Sequence, residues 1–404
     1  MTVFIVLTRF FPAVLFIGFC SSAAAAGGQP AFPVQELDVP AAEGSKQHHL
    51  SQTADGRLIL SWVESDGPSS TVRFAVREGP AWSPVRTVSR VDGKLGDPPV
   101  VFGLDDGSLA AAWMPYVKGG KSQYAADIYL ARSQDGGLSW SPAFKPYAKK
   151  ARIYDAQMSL TPLPDARIAL VWTDMRDADG HKKKDRYRLM ATVLAKNQQR
   201  AGKETTLDGD VCSCCRVYTA ARGEDLLTVY RDHAQGEIRD TAAVRWRPGG
   251  KAQAASVPGE GWHIEGCPSN GPAVDVSGPA TAAAWFSAAD GKGRVRVAFS
   301  KDGGKRFAKP VEVDDNANGY VNVSLLNQDA ALVSWRGRAG PEDELRIAMV
   351  EAGGISRQTV IYRGDFPKWP SKYPGMVRLG QQAFVAWTDP AKNRVRLAAV
   401  MLDY

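Results

Sequence analysis

Cysteine is scarce in this chain, with five residues in 404. A small disulfide scaffold is excluded at that frequency, because such folds use cysteine at several times this level. Neither sign of charge dominates, since 50 basic residues face 43 acidic ones. This mild positive excess permits attraction to anionic ligands but does not indicate nucleic-acid binding. The sequence also lacks a phosphate loop, a dinucleotide fingerprint and a serine-hydrolase elbow, so no common nucleotide or hydrolase motif explains its function.

Composition is otherwise that of a globular protein. The chain is 44% hydrophobic and 23% charged, which excludes disordered, collagen-like and coiled-coil classes. Thirty-nine glycines, 25 prolines and 11 tryptophans predict many turns and an aromatic-rich core.

Residues 1–26 resemble a secretory signal peptide. Arg9 precedes an apolar run at 10–19, and small residues at 23–26 offer a cleavage site before Gly27. The run is too short for a transmembrane span of about 20 residues. We therefore expect no transmembrane segment and a periplasmic or secreted chain that keeps four cysteines, in a compartment where disulfides form.

The remainder is organised by seven repeats. Each contains a run of four or five small or apolar residues that ends in Trp or Tyr, and the runs are 50 to 59 residues apart. Such a run, without helical periodicity and bounded by turn residues, predicts a strand buried on both faces. The seven runs end at Trp62, Trp113, Trp172, Tyr230, Trp285, Trp335 and Trp387.

A second pattern follows most of these runs. It is Arg, an apolar residue and Ala, which alternate as in a strand with one wetter face. It occurs at 73–75, 296–298, 346–348 and 396–398, with a variant at 129–131. With a short strand before each run and an edge strand after, each repeat predicts a four-stranded blade.

The predicted fold is therefore an all-β propeller of seven four-stranded blades, with six blades as the alternative. Residues 27–404 form a single domain in this interpretation. The seventh repeat has no room for a fourth strand, and the segment 34–39 is expected to supply it and close the ring.

Two turns relate the repeats to a known family. Residues 133–140 and 300–307 resemble the Asp-box, or BNR repeat, Ser-x-Asp-x-Gly-x-x-Trp/Phe. Ser and Asp side chains hydrogen-bond backbone groups across such a turn, and Gly permits positive φ. The resemblance is to the sialidase superfamily and implies a sialidase-like β-propeller.

In sialidases, three Arg hold the substrate carboxylate and a Tyr–Glu pair supplies the nucleophile, so the resemblance implies where such groups would be. Arg176, Arg231 and Arg336 follow buried strands of three different blades, Tyr320 opens the sixth inner strand, and Glu237 lies near. Arg suits this task because its planar fork binds a carboxylate bidentately. The Arg-Ile-Pro motif of sialidases is missing after the leader.

The cysteines form a second candidate site. Cys212, Cys214 and Cys215 stand together, and Cys267 lies one repeat further on; Cys212 and Cys267 each precede a central aromatic by 18 residues. Because both positions open inner strands, the four cysteines are expected to meet at the mouth of the central channel.

Three interpretations of the cysteines stay open: structural disulfides, a soft-metal site for copper or zinc, and a vicinal Cys214–Cys215 disulfide. His48 and His49 occupy a comparable position in the first repeat and are candidate metal ligands with the cysteines. The leading hypothesis is a monomer that binds a small anionic ligand, a glycan or a metal ion. An exo-sialidase or related glycoside hydrolase is the alternative.

Overall fold

The computed structural model of the chain describes residues 31–118, 123–154, 157–176, 186–368 and 371–402. The predicted leader at 1–26 lies outside these residues. Thirty strands and no helix occur in the described ranges, so none of them contains a helix that could cross a membrane. Seven sheets surround a central channel, which confirms the seven-bladed propeller and shows that the six-blade alternative is wrong.

The strands of blades 1 to 4, from inner to outer, are as follows. A strand β1 (Val34–Leu37) comes first in the chain and belongs to the last blade. Blade 1 contains β2 (Lys46–Gln52), β3 (Leu58–Asp66), β4 (Ser69–Glu78) and β6 (Arg86–Asp92), with a short β5 (Ala81–Trp82) beside β4. Blade 2 contains β7 (Val100–Gly103), β8 (Leu109–Trp113) and β10 (Tyr129–Ser133), and a separate small pair is formed by β9 (Ala125–Ala126) and β11 (Ile153–Tyr154). Blade 3 contains β12 (Met158–Leu163), β13 (Arg167–Asp174), β14 (Arg188–Leu194) and β15 (Glu204–Asp208), and blade 4 contains β16 (Tyr218–Arg222), β17 (Asp225–Arg231), β18 (Thr241–Trp246) and β19 (Gln253–Ala255).

The strands of blades 5 to 7 complete the ring. Blade 5 contains β20 (Ala273–Ser277), β21 (Ala280–Ser287), β22 (Arg294–Ser300) and β23 (Val311–Asp314); blade 6 contains β24 (Ala317–Leu325), β25 (Ala330–Ala339), β26 (Glu342–Glu351) and β27 (Gly354–Gly364); blade 7 contains β28 (Gly375–Leu379), β29 (Gln382–Asp389), β30 (Arg394–Met401) and β1. In blade 2 the fourth position is a single bridge, Leu130 to Phe144, in place of a strand.

The N-terminal strand β1 pairs antiparallel with β30, with Val34 opposite Val400. The segment predicted to close the ring was 34–39, and the strand that does so spans Val34–Leu37. This pairing gives blade 7 its outer strand and covers the outer edge of β30.

The two repeated sequence patterns meet across strands. The Arg of the second pattern lies directly opposite the aromatic of the first, as in Trp62 with Arg73 and Trp335 with Arg346. In blade 1 one carboxylate, Glu64, accepts from the Trp62 indole N–H at 2.9 Å and from Arg73 Nε at 3.0 Å. The central Trp rings are almost completely buried, so an acceptor of this kind stabilises the indole N–H, although Trp387 Nε1 has none in the described structure.

The same arrangement recurs with carboxylates from different elements. Glu260 accepts from the indole of Trp285 and from Arg296, and Asp314 does so from Trp335 and Arg346. Blade 2 has Tyr129 in place of Arg, and its ring stacks on Trp113 with centroids 6.2 Å apart. In blades 1, 2, 5 and 6 the central strand is thus tied to the next strand outward through its aromatic residue.

The two Ser-x-Asp turns follow the third strands of blades 2 and 5. In the first, Ser133 Oγ donates to Asp135 Oδ1 at 2.8 Å, while the amides of Gly137 and Ser139 donate to Ser133 Oγ and Asp135 Oδ1. In the second, the corresponding bonds involve Ser300, Asp302, Gly304 and Arg306. The predicted side-chain-to-backbone bonding of these turns is confirmed.

Gly137 offers a test of how tightly the first turn is packed. Both Gly137 (φ +88°) and Gly107 (φ +81°) have positive φ, but a Cβ on Gly137 would lie 2.3 Å from the Phe74 ring, whereas one on Gly107 would meet nothing within 4 Å. We expect Gly107→Ala to lower the free energy of unfolding by about 1 kcal/mol. Gly137→Ala should lower the free energy of unfolding by about 1–3 kcal/mol more than Gly107→Ala does, because its Cβ clashes with the Phe74 ring. Urea unfolding of both variants measures the difference, and equal losses would contradict the packing described.

Candidate functional site at the channel mouth

The central channel has a volume of 890 Å³ and is lined by the inner strands of all seven blades. Its mouth lies where the inner strands begin, because the residues just before and at the start of each one gather there. His49, Asp97 and Arg216 line the channel at this end. The predicted meeting of inner-strand starts at one end of the channel is therefore found in the structure.

Arg216 is half-buried at the mouth, whereas Lys372 and Arg336 are buried. Its guanidinium carbon lies 4.1 Å from the centre of the Tyr373 ring, a cation–π contact. The Tyr373 ring is held in turn, because its hydroxyl donates to the Ser269 carbonyl at 2.9 Å. Within the described residues, Arg216 forms no ion pair with a carboxylate. Its planar donor fork is therefore available to a ligand.

Lys372 adds a second positive charge beside Arg216. Its ammonium donates to the Ser269 carbonyl at 2.9 Å and lies 5.4 Å from the Tyr373 ring centre. Burial lowers the pKa of Lys372 to about 8, and the charges of Arg216 and Arg336 act in the same direction. The ammonium is still mostly protonated at neutral pH.

Arg336 and Tyr320 form the adjoining wall. The Arg336 guanidinium lies 4.6 Å from the Tyr320 ring centre and pairs with Asp343. The Tyr320 and Tyr373 rings meet edge to face with centroids 5.1 Å apart. This contact joins the predicted pair, Arg336 and Tyr320, to the Lys372 and Arg216 cluster.

Asp97 is a buried carboxyl on the channel wall, 4% exposed, and its Oδ1 has no hydrogen-bond partner in the described structure. Burial raises its pKa to about 7, although the charges of Arg216 and Lys372 oppose this rise. At neutral pH the carboxyl is thus poised between its acid and base forms.

The two candidate histidine ligands are neutral. Burial and then the charge of Arg216 lower the pKa of both His48 and His49 to about 3. His48 Nδ1 lies 3.1 Å from the Thr388 hydroxyl. Among the described residues, the side chains close enough to share a metal ion are Cys212, Cys214 and Cys267, and neither histidine belongs to this group.

The cysteines do cluster, as expected from their equivalent positions in blades 4 and 5. Cys214 and Cys267 form a disulfide, whereas Cys212 and Cys215 are buried free thiols. Cys212 Sγ lies 3.6 Å from the sulfurs of both Cys214 and Cys215. The vicinal Cys214–Cys215 disulfide is therefore wrong. The disulfide also removes two of the four thiols from any metal site in this oxidation state.

The two free thiols differ electrostatically. Burial opposes ionisation of Cys215, but the bond to Cys212, the charge of Arg231 and the Asn270 amide N–H, 3.3 Å from the sulfur, lower its pKa to about 6. The hydrogen bond to Cys215, then burial, raises the pKa of Cys212 well above its usual range. Of the two thiols, Cys215 is therefore the one whose ionisation the surroundings favour.

The other three residues predicted from the sialidase resemblance, Arg176, Arg231 and Glu237, bind groups of the protein itself. Arg231 is 1% exposed and donates to three backbone carbonyls, those of Arg239, Asn270 and Phe286. Arg176 pairs with Asp174 and Glu204 in blade 3. Glu237 pairs with Arg239 and lies 3.4 Å from His233. Of the five predicted residues, the structure brings together only Arg336 and Tyr320.

The sequence prediction missed Arg216, Lys372 and Tyr373. A positional signal could have found them, because Arg216 comes 14 residues before Tyr230, and Lys372 and Tyr373 come 15 and 14 before Trp387. His48 has the same offset from Trp62. Residues at this offset open the inner strands and therefore face the mouth.

No protein-family profile matches the sequence, and no curated protein is significantly similar to it. Solved structures are similar in fold. A polysaccharide lyase of family PL25, an ulvan lyase bound to -[GlcA(1-4)Rha3S]-, has a TM-score of 0.56 at 10% identity, over 91% of this chain and 96% of that one. A protein of unknown function from Dyadobacter fermentans has a TM-score of 0.52 at 13% identity, over 92% and 99%. The NanB sialidase from Streptococcus pneumoniae has a TM-score of 0.46 at 10% identity, over 93% and 98%. The chain thus shares its overall fold with the lyase and with the Dyadobacter protein.

The raised pKa of Asp97 predicts a pH dependence of stability. Its folded-state pKa of about 7 exceeds the ordinary 3.8, so the folded chain keeps a proton that the unfolded chain loses between these values. The free energy of unfolding of the parent should therefore fall as pH rises through this window. Asp97→Asn has no carboxyl group to titrate. At the upper end of the window its free energy of unfolding should therefore exceed that of the parent by up to about 4 kcal/mol.

Urea unfolding at both ends of the pH window measures this difference. Asp92→Asn is the control, because Asp92 is largely exposed and its carboxylate is 3.9 Å from Lys118. A gap between Asp97→Asn and the parent that does not widen with pH would contradict the assignment.

Proposed function

We propose that the channel mouth binds a negatively charged group of a glycan, with Arg216 as the main contact. The observation that carries this proposal is the Arg216 guanidinium, which lies at the mouth on the Tyr373 ring without a carboxylate partner in the described structure. A cation held in place on an aromatic ring loses little freedom when it binds a carboxylate or sulfate, and its fork matches either anion.

The surroundings of Arg216 support an anionic ligand. Lys372 and Arg336 bring further positive charge, while Asp97 is partly neutral because of its raised pKa. Tyr320 and Tyr373 offer aromatic surface beside these charges. An ulvan lyase of similar fold was solved with -[GlcA(1-4)Rha3S]-, in which GlcA carries a carboxylate and Rha3S a sulfate. An acidic saccharide is therefore the ligand class that we propose.

Glycan cleavage is the second candidate function, and Asp97 is the observation that favours it. A buried carboxyl with a pKa near 7 suits proton transfer to or from a sugar oxygen at neutral pH. It lines the same channel as Arg216, so a saccharide bound at the mouth would reach it. The internal pairing of Arg231 and Arg176 gives less support to a sialidase in particular.

Binding can be measured with oligogalacturonate and sialyllactose as acidic probes and a neutral galactose oligomer as the reference. We expect tighter binding of at least one acidic probe than of the neutral one. Arg216→Ala should weaken that binding by about 10- to 100-fold, because a charge-assisted hydrogen bond to the anion is lost. Isothermal titration calorimetry gives both affinities.

Arg306→Ala is the matched control, since Arg306 is 84% exposed in the turn that follows the third strand of blade 5, far from the mouth. Equal affinities of the parent and Arg216→Ala would overturn the binding proposal. Turnover of either probe, or of a fluorogenic sialoside, that Arg336→Ala or Asp97→Asn abolishes would make cleavage the function.

We also propose that the chain is exported, on the basis of residues 1–26. Expressed with its leader in a bacterial host, the protein should be recovered in the periplasm or medium with Gly27 at its N-terminus, as intact mass and N-terminal sequencing would show. Leu15→Arg interrupts the apolar run and should leave the full-length chain in the cytoplasm. Recovery of an uncleaved parent in the cytoplasm would contradict export.

A further inference from the structure

The sulfur atoms of blades 4 and 5 are spaced like the ligands of a metal ion. Cys212 Sγ lies 3.6 Å from Cys214 Sγ and 3.6 Å from Cys215 Sγ. The sulfurs of Cys212, Cys214 and Cys267 all lie within 4.8 Å of one another. In a tetrahedral thiolate site with metal–sulfur bonds of about 2.3 Å, neighbouring sulfurs are about 3.8 Å apart. Cys212, Cys214 and Cys267 therefore need little rearrangement to hold an ion, and Cys215, which lies outside this group of three, would have to move towards them to become the fourth ligand.

The charge around the cluster is positive. Arg231 is buried beside it, and the Cys212 amide donates to the Arg231 carbonyl at 3.0 Å. No carboxylate of the described chain pairs with the Arg231 guanidinium, which rests on carbonyls and on the Trp262 ring at 4.9 Å. A buried cation without a counter-ion is costly, so an anionic cluster at this place compensates it.

Contacts around the sulfurs also suit thiolates. The Asn270 amide N–H donates to Cys215 Sγ at 3.3 Å, the kind of outer contact that orients and stabilises a ligating sulfur. A divalent ion with four thiolates carries two negative charges, and the buried guanidinium of Arg231 offsets one of them.

The Cys214–Cys267 disulfide blocks this site in the state described here. Cys267 is exposed, whereas Cys212, Cys214 and Cys215 are buried, so a reductant reaches the disulfide at the Cys267 sulfur. We propose that these four cysteines form a redox-controlled site for a thiophilic metal ion, Zn²⁺ or Cu⁺, that is blocked by the disulfide and opened by a dithiol reductant. Soft thiolate ligands select these ions. This site is separate from the proposed anion site.

The opening step is a thiol–disulfide exchange. One thiolate of the dithiol attacks Cys267 Sγ, the Cys214–Cys267 bond breaks, and Cys214 leaves as a thiolate. The second thiol of the reductant then attacks the mixed disulfide and releases Cys267, so the reductant becomes a disulfide and the protein gains two thiols. The metal ion then binds the four sulfurs and displaces their remaining protons.

The test compares two redox states of the unaltered mature chain. The denatured oxidised chain should show the two free thiols, Cys212 and Cys215, and the dithiothreitol-treated, desalted chain should show all four. Zn²⁺ and Cu⁺ are titrated separately under anaerobic conditions, and Co²⁺ is used as a spectroscopic probe. We expect the reduced chain to bind one ion at least about 100-fold more tightly than the oxidised chain. The Co²⁺ form should show the intense bands of a tetrahedral thiolate site.

Cys212→Ser removes the sulfur next to both of its neighbours and should lower the affinity of the reduced chain by at least about 100-fold. Ser213→Ala is the matched control in the same turn and should bind like the parent. Equal binding by the oxidised and reduced chains, or no tight binding of either ion by the reduced one, would overturn the proposal. The redox comparison decides the matter if Cys212→Ser does not fold. Binding of one ion alone supports the site and identifies the metal.

Discussion

The bond between a buried indole, a carboxylate and an arginine holds neighbouring strands together in blades 1, 5 and 6 of this propeller. A central strand that is apolar on both faces carries its Trp into a dry interior, where the indole N–H needs an acceptor. A carboxylate such as Glu64, Glu260 or Asp314 accepts it and is neutralised by an Arg on the next strand. One polar group thereby fixes the register of two strands. The strand order that the blades share places their inner-strand starts at the same end of the channel.

Because all seven inner strands start at one end of the channel, side chains of different chemical types meet at the mouth. The central strands are occupied by packing, and the Ser-x-Asp turns by their own hydrogen bonds, so neither is free to vary. The starts of the inner strands are under less constraint, and in this chain they carry a histidine pair, a buried carboxyl, two cations and the cysteine cluster. Arg216 and Cys215 are adjacent in sequence, yet their side chains lie in different environments. Arg216 faces the channel and Tyr373, whereas Cys215 is buried against Asn270.

The architecture was predictable because its signals are local and repeated. Apolar runs ending in an aromatic residue predicted all seven central strands, and the Arg-apolar-Ala pattern with its variant predicted the neighbouring strand in five of the seven blades. The contacts of each side chain were harder to predict from the sequence. Arg231 follows a buried strand just as Arg336 does, but only the fold shows that Arg231 is enclosed by backbone carbonyls. Likewise, Cys212, Cys214 and Cys215 were equally good partners for Cys267 until the turn placed Cys214 opposite it. Lys372 belongs to no motif, so only its position before a strand identifies it.

The pairing of β1 with β30 has a consequence for the order of assembly. Val34 and Val400 are opposite each other, so β1 finds its partner only after the strands of the other six blades have been made. Those six blades are each built from neighbouring segments, but the seventh combines β1 with β28, β29 and β30. The ring therefore remains open until β30 has been made, and its closure carries the largest loop-entropy cost of any pairing among the described strands. A chain cut short before β30 would leave two unsatisfied strand edges, one at each side of the gap, as templates for association with another copy.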